Sequence, residues 1–249
     1  MKIYNFFIIT VFENLFNTYF SFSFPKKGLK KYFDYQLLNL QKFSDENKIP
    51  FHLPAFGGIG GMLVNPLVLS KAIKSLKNKN SYVILLSPQG KKFSTEIALE
   101  LLNLKKNLIF VNTRFEGFDQ RILNEVDMEL SVGDYVLNAG EIATLVVLDA
   151  IIRLIPDFIK KKNIENDSFY HGLLDCNNFT KPVTFNNIEV PNVLRSGNHK
   201  EIEKWKNKSM LENTYKKRKD LLLNYHFSND KIMYLWEIIK KEKIEKNGK

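Results

Sequence analysis

The sequence predicts an α/β protein with a parallel sheet, followed by a smaller, mainly helical C-terminal domain. Three observations carry that prediction. Short apolar runs alternate with stretches of helical spacing between residues 82 and 155, and the composition turns polar and lysine-rich after Ile155. The chain of 249 residues, 44% hydrophobic and 13% aromatic, is also long enough for one large or two modest cores.

In chain order, Ile3 to Val11 reads as a buried first strand leading into a helix. The Phe-rich segment from Met1 to Pro25 is interrupted by Glu13 and Asn14 and lacks a small-residue cleavage site, so it makes a poor signal peptide. Tyr82 to Leu86 is a second apolar run, stopped by Ser87-Pro88-Gln89-Gly90, which reads as a buried strand and a turn. Thr95 to Leu104 has helical spacing. Leu108 to Val111 is the next buried strand, closed by the polar loop 112–117. A further strand is expected at Tyr135-Val136-Leu137. A helix then follows Asn138-Ala139-Gly140, with Ile142, Leu145, Val146, Ile152 and Ile155 on its apolar face, until Pro156 ends it. Asp149 and Arg153 interrupt this helix, and it falls short of the about 20 apolar residues that a membrane span requires, so it belongs to a core. Strands separated by helices imply parallel pairing. The expected organisation is a first domain over 1–159, a mobile polar linker over 160–169 and a helical domain over 170–249.

Lys and Arg number 37 against 27 Asp and Glu, a net charge of +10. That balance suits an anionic partner such as nucleic acid. It is equally what a chain rich in Lys, Asn, Ile and Phe throughout would show. In the last domain Asn198 can cap a helix, with Glu201 three residues on and Ile202 and Trp205 on one face. Lys200, Lys204, Lys206 and Lys208 surround that face, and the run 216–219 follows; this is either a solvated surface or a phosphate-contacting one. The single Cys176 excludes an intrachain disulfide and fits a reducing cytoplasm. Four scattered histidines, His52, His171, His199 and His226, have no metal-ligand spacing, so no protein-built metal site is expected.

In an open parallel sheet, ligands bind beyond the carboxyl ends of the strands. Three turn-rich loops, 87–90, 112–117 and 132–140, fall at such ends, although each alone reads more readily as an ordinary turn. Gly57-Gly58-Ile59-Gly60-Gly61 lacks the Lys-Ser/Thr ending of a phosphate loop and the dinucleotide spacing, and is expected to be a loop lining a pocket.

The blocks LLSPQGKK (85–92), RFEGFDQR (114–121), SVGDYVLNAGEIATLVVLDAIIRLIP (131–156), DSFYHGLLDCNNFTKP (167–182) and VPNVLRSGNHKEIEKWK (190–206) resemble the bacterial tRNA (guanine-N1)-methyltransferase family. The resemblance runs from about residue 54 to 222, in the family's order and spacing. It implies a SPOUT-type knotted parallel sheet domain, in which a deep trefoil knot holds S-adenosylmethionine bent. Leu86, Ser87 and Pro88, then Thr113, Phe115, Glu116 and Gly117, then Val132, Gly133, Asp134, Tyr135, Val136 and Leu137, with Ala139 and Gly140, would surround that cofactor. The activity implied is methylation of N1 of guanine 37 in tRNA, by a homodimer with shared active sites and with magnesium dependence. Asp167 would be the general base and Arg153 the donor to guanine O6. Taken by itself, Arg153 is also placed to pair with Asp149 one turn back. A knotted methyltransferase acting on another RNA base, or a decayed, non-catalytic tRNA-binding module, are the alternatives. Thr113, Ala139 and Ala143 stand where the family usually has Gly, Gly and Pro, and Asn177-Asn178 replaces a Pro-His pair.

Overall fold

A computed structural model describes residues 3–57, 60–114 and 116–247. The chain divides into two compact units, Met1–Lys160 and Lys161–Lys249.

The first unit is built on five parallel strands, β1 (Tyr4–Thr10), β2 (Phe33–Asn39), β5 (Ser81–Lys92), β6 (Asn107–Val111) and β7 (Met128–Ser131), in the order β2-β1-β6-β5-β7. A small antiparallel pair, β3 (His52–Pro54) and β4 (Met62–Val64), lies between β2 and β5 in sequence. The helices are α1 (Glu13–Ser21), α2 (Ser23–Gly28), α3 (Leu40–Asn47), α4 (Pro66–Leu76), α5 (Thr95–Asn103) and α6 (Gly140–Leu154). Successive strand residues point to opposite faces, and here both faces are buried. Phe6, Ile8, Ile84, Leu86, Leu108 and Phe110 pack with Phe16 and Phe20 of α1, Leu101 of α5 and Val147 and Ile151 of α6. Ile9, Val83, Leu85, Ile109 and Val111 pack with Leu40 of α3 and Val68, Leu69 and Ile73 of α4 on the other face. Full burial of each such aliphatic or Phe side chain contributes roughly 1.5–3 kcal/mol. This explains why these strands read as unbroken apolar runs rather than as alternating patterns.

The structure departs from the sequence expectation at three places. No strand forms at Tyr135-Val136-Leu137, where Tyr135 and Val136 are 56% and 84% exposed. The strand is β7, which ends four residues before Tyr135; Glu129 within it hid the pattern, and its carboxylate accepts from the Ser87 hydroxyl at 2.6 Å. Residues 87–90 do not end β5. Leu86 and Lys91 both pair with Leu130, so the chain bulges out and returns to the same partner. Gly90 permits the return, since a Cβ there would lie 2.4 Å from Leu130 N. Finally, Ile142 and Val146 of α6 are 44% and 49% exposed, whereas Glu141, Ala143, Thr144, Val147 and Leu148 are buried.

The second unit contains α7 (Lys161–Glu165), a hairpin of β8 (Thr184–Phe185) and β9 (Ile188–Glu189), α8 (Asn192–Arg195), α9 (His199–Lys217) and α10 (Asn229–Asn247). Its core is small: Leu173, Leu211 and Ile238, flanked by Met210, Tyr215, Tyr225, Phe227 and Tyr234. Asn198 caps α9 by accepting from Glu201 N at 3.3 Å. Side-chain hydrogen bonds tie the segment 174–177 to α9: the Thr214 hydroxyl accepts from Leu174 N at 3.0 Å, and the Ser209 hydroxyl accepts from Asn177 N at 2.9 Å.

Candidate active site

β6, β5 and β7 are sheet neighbours and all run in one direction, so the chain segments at their carboxyl ends converge. They enclose a cavity of about 190 Å³. Its wall is Leu86, Ser87 and Pro88 from β5, Thr113, Arg114, Glu116 and Gly117 after β6, Leu130 and Ser131 of β7, and the loop from Val132 to the start of α6.

Backbone geometry builds much of this wall. Gly140 N donates to Thr113 O at 3.3 Å, and a Cβ on Gly140 would sit 3.2 Å from both Thr113 N and Thr113 O. The two segments therefore touch through main chain. The Ser131 hydroxyl donates to Gly133 O at 3.1 Å, Tyr135 N donates to the same carbonyl at 2.9 Å, and Tyr135 Oη donates to Val132 O at 3.2 Å, folding residues 131–135 on themselves. The segment after β6 is tied to β4, because Val64 N donates to Gly117 O at 3.2 Å and Glu116 N donates to Met62 O at 3.3 Å. Gly117 adopts a φ of 102°, a conformation that favours glycine.

Most of the residues expected around a cofactor meet here. Leu86, Ser87, Pro88, Thr113, Glu116, Gly117, Val132, Gly133, Tyr135, Val136, Leu137, Ala139 and Gly140 are all in the wall. Asp134 is not; its side chain is 89% exposed and pairs with Lys92 Nζ at 3.2 Å. Phe115 lies outside the described residues. Sequence reasoning missed Arg114, Leu130, Ser131 and Asn138 as wall residues. Arg114 opens the motif RFEGFDQR and was within reach of the sequence, whereas Leu130 and Ser131 were hidden by the expectation of a strand at 135–137. The glycine-rich loop plays a different part: Gly57, Gly60 and Gly61 are absent from the wall, and Gly58 and Ile59 lie outside the described residues. Gly61 instead makes room for Glu116, whose Cγ would be 2.3 Å from a Cβ at that position.

Arg153 is exposed in the last turn of α6, and Asp149 one turn before it accepts from Tyr19 Oη at 2.7 Å. Burial first, and then that hydrogen bond and the charge of Asp149, push the Tyr19 hydroxyl pKa well up. Asp167 belongs to the second unit, half-buried in a turn where its N–H donates to Ile164 O at 3.0 Å. The neighbouring Ser168 hydroxyl accepts from Asp175 N at 2.9 Å. Several of the cations singled out in the second unit are ion-paired: Lys204 with Glu201 (2.8 Å), Lys208 with Glu237 (2.7 Å), Lys216 with Glu212 (2.6 Å) and Arg218 with Asp220 (2.6 Å). Exposed pairs of this kind contribute little and exchange readily for other anions. Among the described residues, no three His, Cys, Asp or Glu side chains gather to hold a metal ion, and no helix is long and apolar enough to cross a membrane.

The fold and pocket define a parallel α/β protein with a cavity between the loops that follow the carboxyl ends of β5, β6 and β7. Residues 4–224 match the family model described as tRNA (Guanine-1)-methyltransferase TrmD. The chain is similar to proteins named tRNA (guanine-N(1)-)-methyltransferase from several bacteria. It is 41% identical to that of Mycoplasmopsis pulmonis over 224 residues, 90% of this chain and 97% of the relative. It is 41% identical to that of Fusobacterium nucleatum over 238 residues, covering 94% and 98%. With that of a Sulfurihydrogenibium species it shares 40% over 256 aligned residues, covering 100% and 99%. The chain belongs to the tRNA (guanine-1)-methyltransferase family, and it is a methyltransferase.

Proposed function

We propose that this chain transfers a methyl group from S-adenosylmethionine to N1 of guanine 37 of tRNA, acting in the cytoplasm as a homodimer. The observation that carries the reading is the convergence of three sequence-distant segments on one pocket, in a chain that belongs to this family. The wall suits such a donor chemically. Leu86, Leu130, Val132 and Leu137 offer an apolar bed for a purine, main-chain groups of 113 and 132–140 can read its edge, and Arg114 and Glu116 offer opposite charges to a zwitterionic amino acid. The trefoil knot is part of the same proposal.

Bound S-adenosylmethionine supplies an electrophilic methyl on a sulfonium. The neutral guanine N1 carries a proton and has no free lone pair, so the proton must leave as the N1–methyl bond forms. Asp167 takes that proton. An aspartate is a weak base in water, so the assembled site must strengthen it by desolvation or by stabilising the anion it creates. Arg153 does the latter by donating to guanine O6, where negative charge collects. The target base must leave its stack to reach the pocket. Docking of the tRNA then positions Asp167, which couples recognition to chemistry. No cluster of three His, Cys, Asp or Glu side chains among the described residues fits a magnesium ion, and no step of the proposed transfer runs through one.

The α6 surface supports the dimer reading. Ile142, Val146, Asp149 and Arg153 are spaced four, three and four residues apart, which puts them on one exposed stripe, half of it apolar. In the dimer, Arg153 and the pocket of one protomer serve with Asp167 of the other. The test is transfer of labelled methyl to tRNA transcripts with guanine or another base at position 37, with the product base identified by mass spectrometry. 1-Methylguanine formed only with guanine 37 is expected. Transfer irrespective of that base contradicts the specificity, and tRNA binding without transfer contradicts the enzymatic reading.

A further inference from the structure

Glu141 is the only charged side chain buried among the described residues, at 1% exposure. It sits in the first turn of α6 between Gly140 and Ala143, both of which line the pocket. Its Oε1 accepts from the Thr10 hydroxyl at 2.9 Å, and that hydroxyl accepts from Phe12 N at 2.9 Å. Its Oε2 meets no hydrogen-bond donor among the described residues. The neighbouring contacts are satisfied without it: the Thr144 hydroxyl donates to Asn112 Oδ1 at 2.6 Å, and Asn112 Nδ2 donates to Ile9 O at 2.9 Å.

Stability alone does not account for this arrangement. A buried carboxylate with one oxygen unpaired is costly, and a neutral side chain would accept the Thr10 hydrogen bond without burying a charge. The pocket offers another reason. Its wall holds one cation, Arg114, and one acid, Glu116, so its own charges balance. The positive end of the α6 dipole begins at Gly140, in that wall, and by itself would repel a cationic ligand. A carboxylate in the first turn reverses that sign, and because the Glu141 side chain is buried its field is weakly screened.

We propose that Glu141 sets the preference of the pocket for the cationic methyl donor over its neutral product. The inference rests on reading the pocket as the donor site. Methyl transfer breaks a sulfonium–methyl bond and leaves a thioether, so one positive charge disappears from the ligand. Glu141 stabilises the ligand before that loss and not after it, which favours exchange of product for fresh donor.

Equilibrium binding of S-adenosylmethionine and S-adenosylhomocysteine to the full chain tests this, with wild type, Glu141→Gln and Thr10→Val measured beside their melting temperatures. Glu141→Gln keeps an acceptor for Thr10 and removes the charge; Thr10→Val keeps the charge and removes the tie. The donor-to-product affinity ratio is expected to fall about tenfold in Glu141→Gln, equivalent to about 1.4 kcal/mol, and to stay unchanged in Thr10→Val. An unchanged ratio in Glu141→Gln, or equal losses for both ligands in both variants, overturns the proposal and leaves Glu141 a shaping residue only. If Glu141→Gln does not fold, wild-type protein still decides. An analogue with an ammonium in place of the sulfonium should bind several-fold tighter than the thioether, and weaker binding contradicts the proposal. Failure of wild type to bind any of these ligands removes the donor reading itself, a distinct result.

Discussion

The two units differ in what they present to a ligand. The first buries both faces of a five-stranded sheet and presents a pocket whose wall is shaped in part by main-chain contacts, where Gly140 touches Thr113 and residues 131–135 fold on themselves. The second rests on Leu173, Leu211 and Ile238 and exposes long cationic and aromatic side chains on α9 and α10. A pocket made of backbone tolerates changes of side chain but not changes of chain path. Thr113, Ala139 and Ala143 all stand in the wall, two of them where α6 begins or just before it. A surface made of side chains has the opposite sensitivity, since each residue contributes little and removal of any one is absorbed.

Four substitutions sharpen or break this contrast. Asp167→Asn should reduce methyl transfer by about a thousandfold or more, while S-adenosylmethionine affinity in a binding titration stays within about twofold; loss of donor binding would break the separation of roles. Leu211→Ala empties the centre of the small core and should cost about 2–5 kcal/mol in the unfolding of the second unit. Chemical denaturation followed by Trp205 and Trp236 fluorescence reads this, with donor binding by the first unit preserved. Gly90→Ala forces a Cβ against Leu130 N and Glu129 C, at 2.4 and 2.5 Å, and should destabilise the first unit by about 1–3 kcal/mol. Because Leu130 lines the pocket, donor affinity should fall with it, which calorimetric titration measures. Lys204→Ala should weaken tRNA binding only about two- to threefold and lower the salt slope by about one, with donor binding unchanged.

The sequence made the first unit's layers legible where burial was complete. Val83 to Leu86 and Leu108 to Val111 are buried on both faces and therefore read as apolar runs. β7 was not legible, because Glu129 interrupts a strand of only four residues and finds its partner, Ser87, forty-two residues back in the chain. Tyr135 to Leu137 mimicked a strand because a pocket wall and a sheet interior use the same residue types. On α6 the buried face was misjudged, since apolar residues surround the helix and periodicity cannot choose between a core face and an exposed one; Ile142 and Val146 took the exposed side. Main-chain contacts such as Gly140 on Thr113 leave only the glycine as a trace. The buried carboxylate of Glu141 leaves none.

In the proposed mechanism neither unit completes the site, and completion crosses between chains. Mixing two full-length variants, Arg153→Ala and Asp167→Asn, each inactive alone, tests it most directly. After subunit exchange, one site in each mixed dimer would hold both Arg153 and Asp167, so the account predicts that methyl transfer to guanine 37 returns to a substantial fraction of the wild-type rate. A mixture as inactive as its components, with mixed dimers demonstrated by mass, would contradict it.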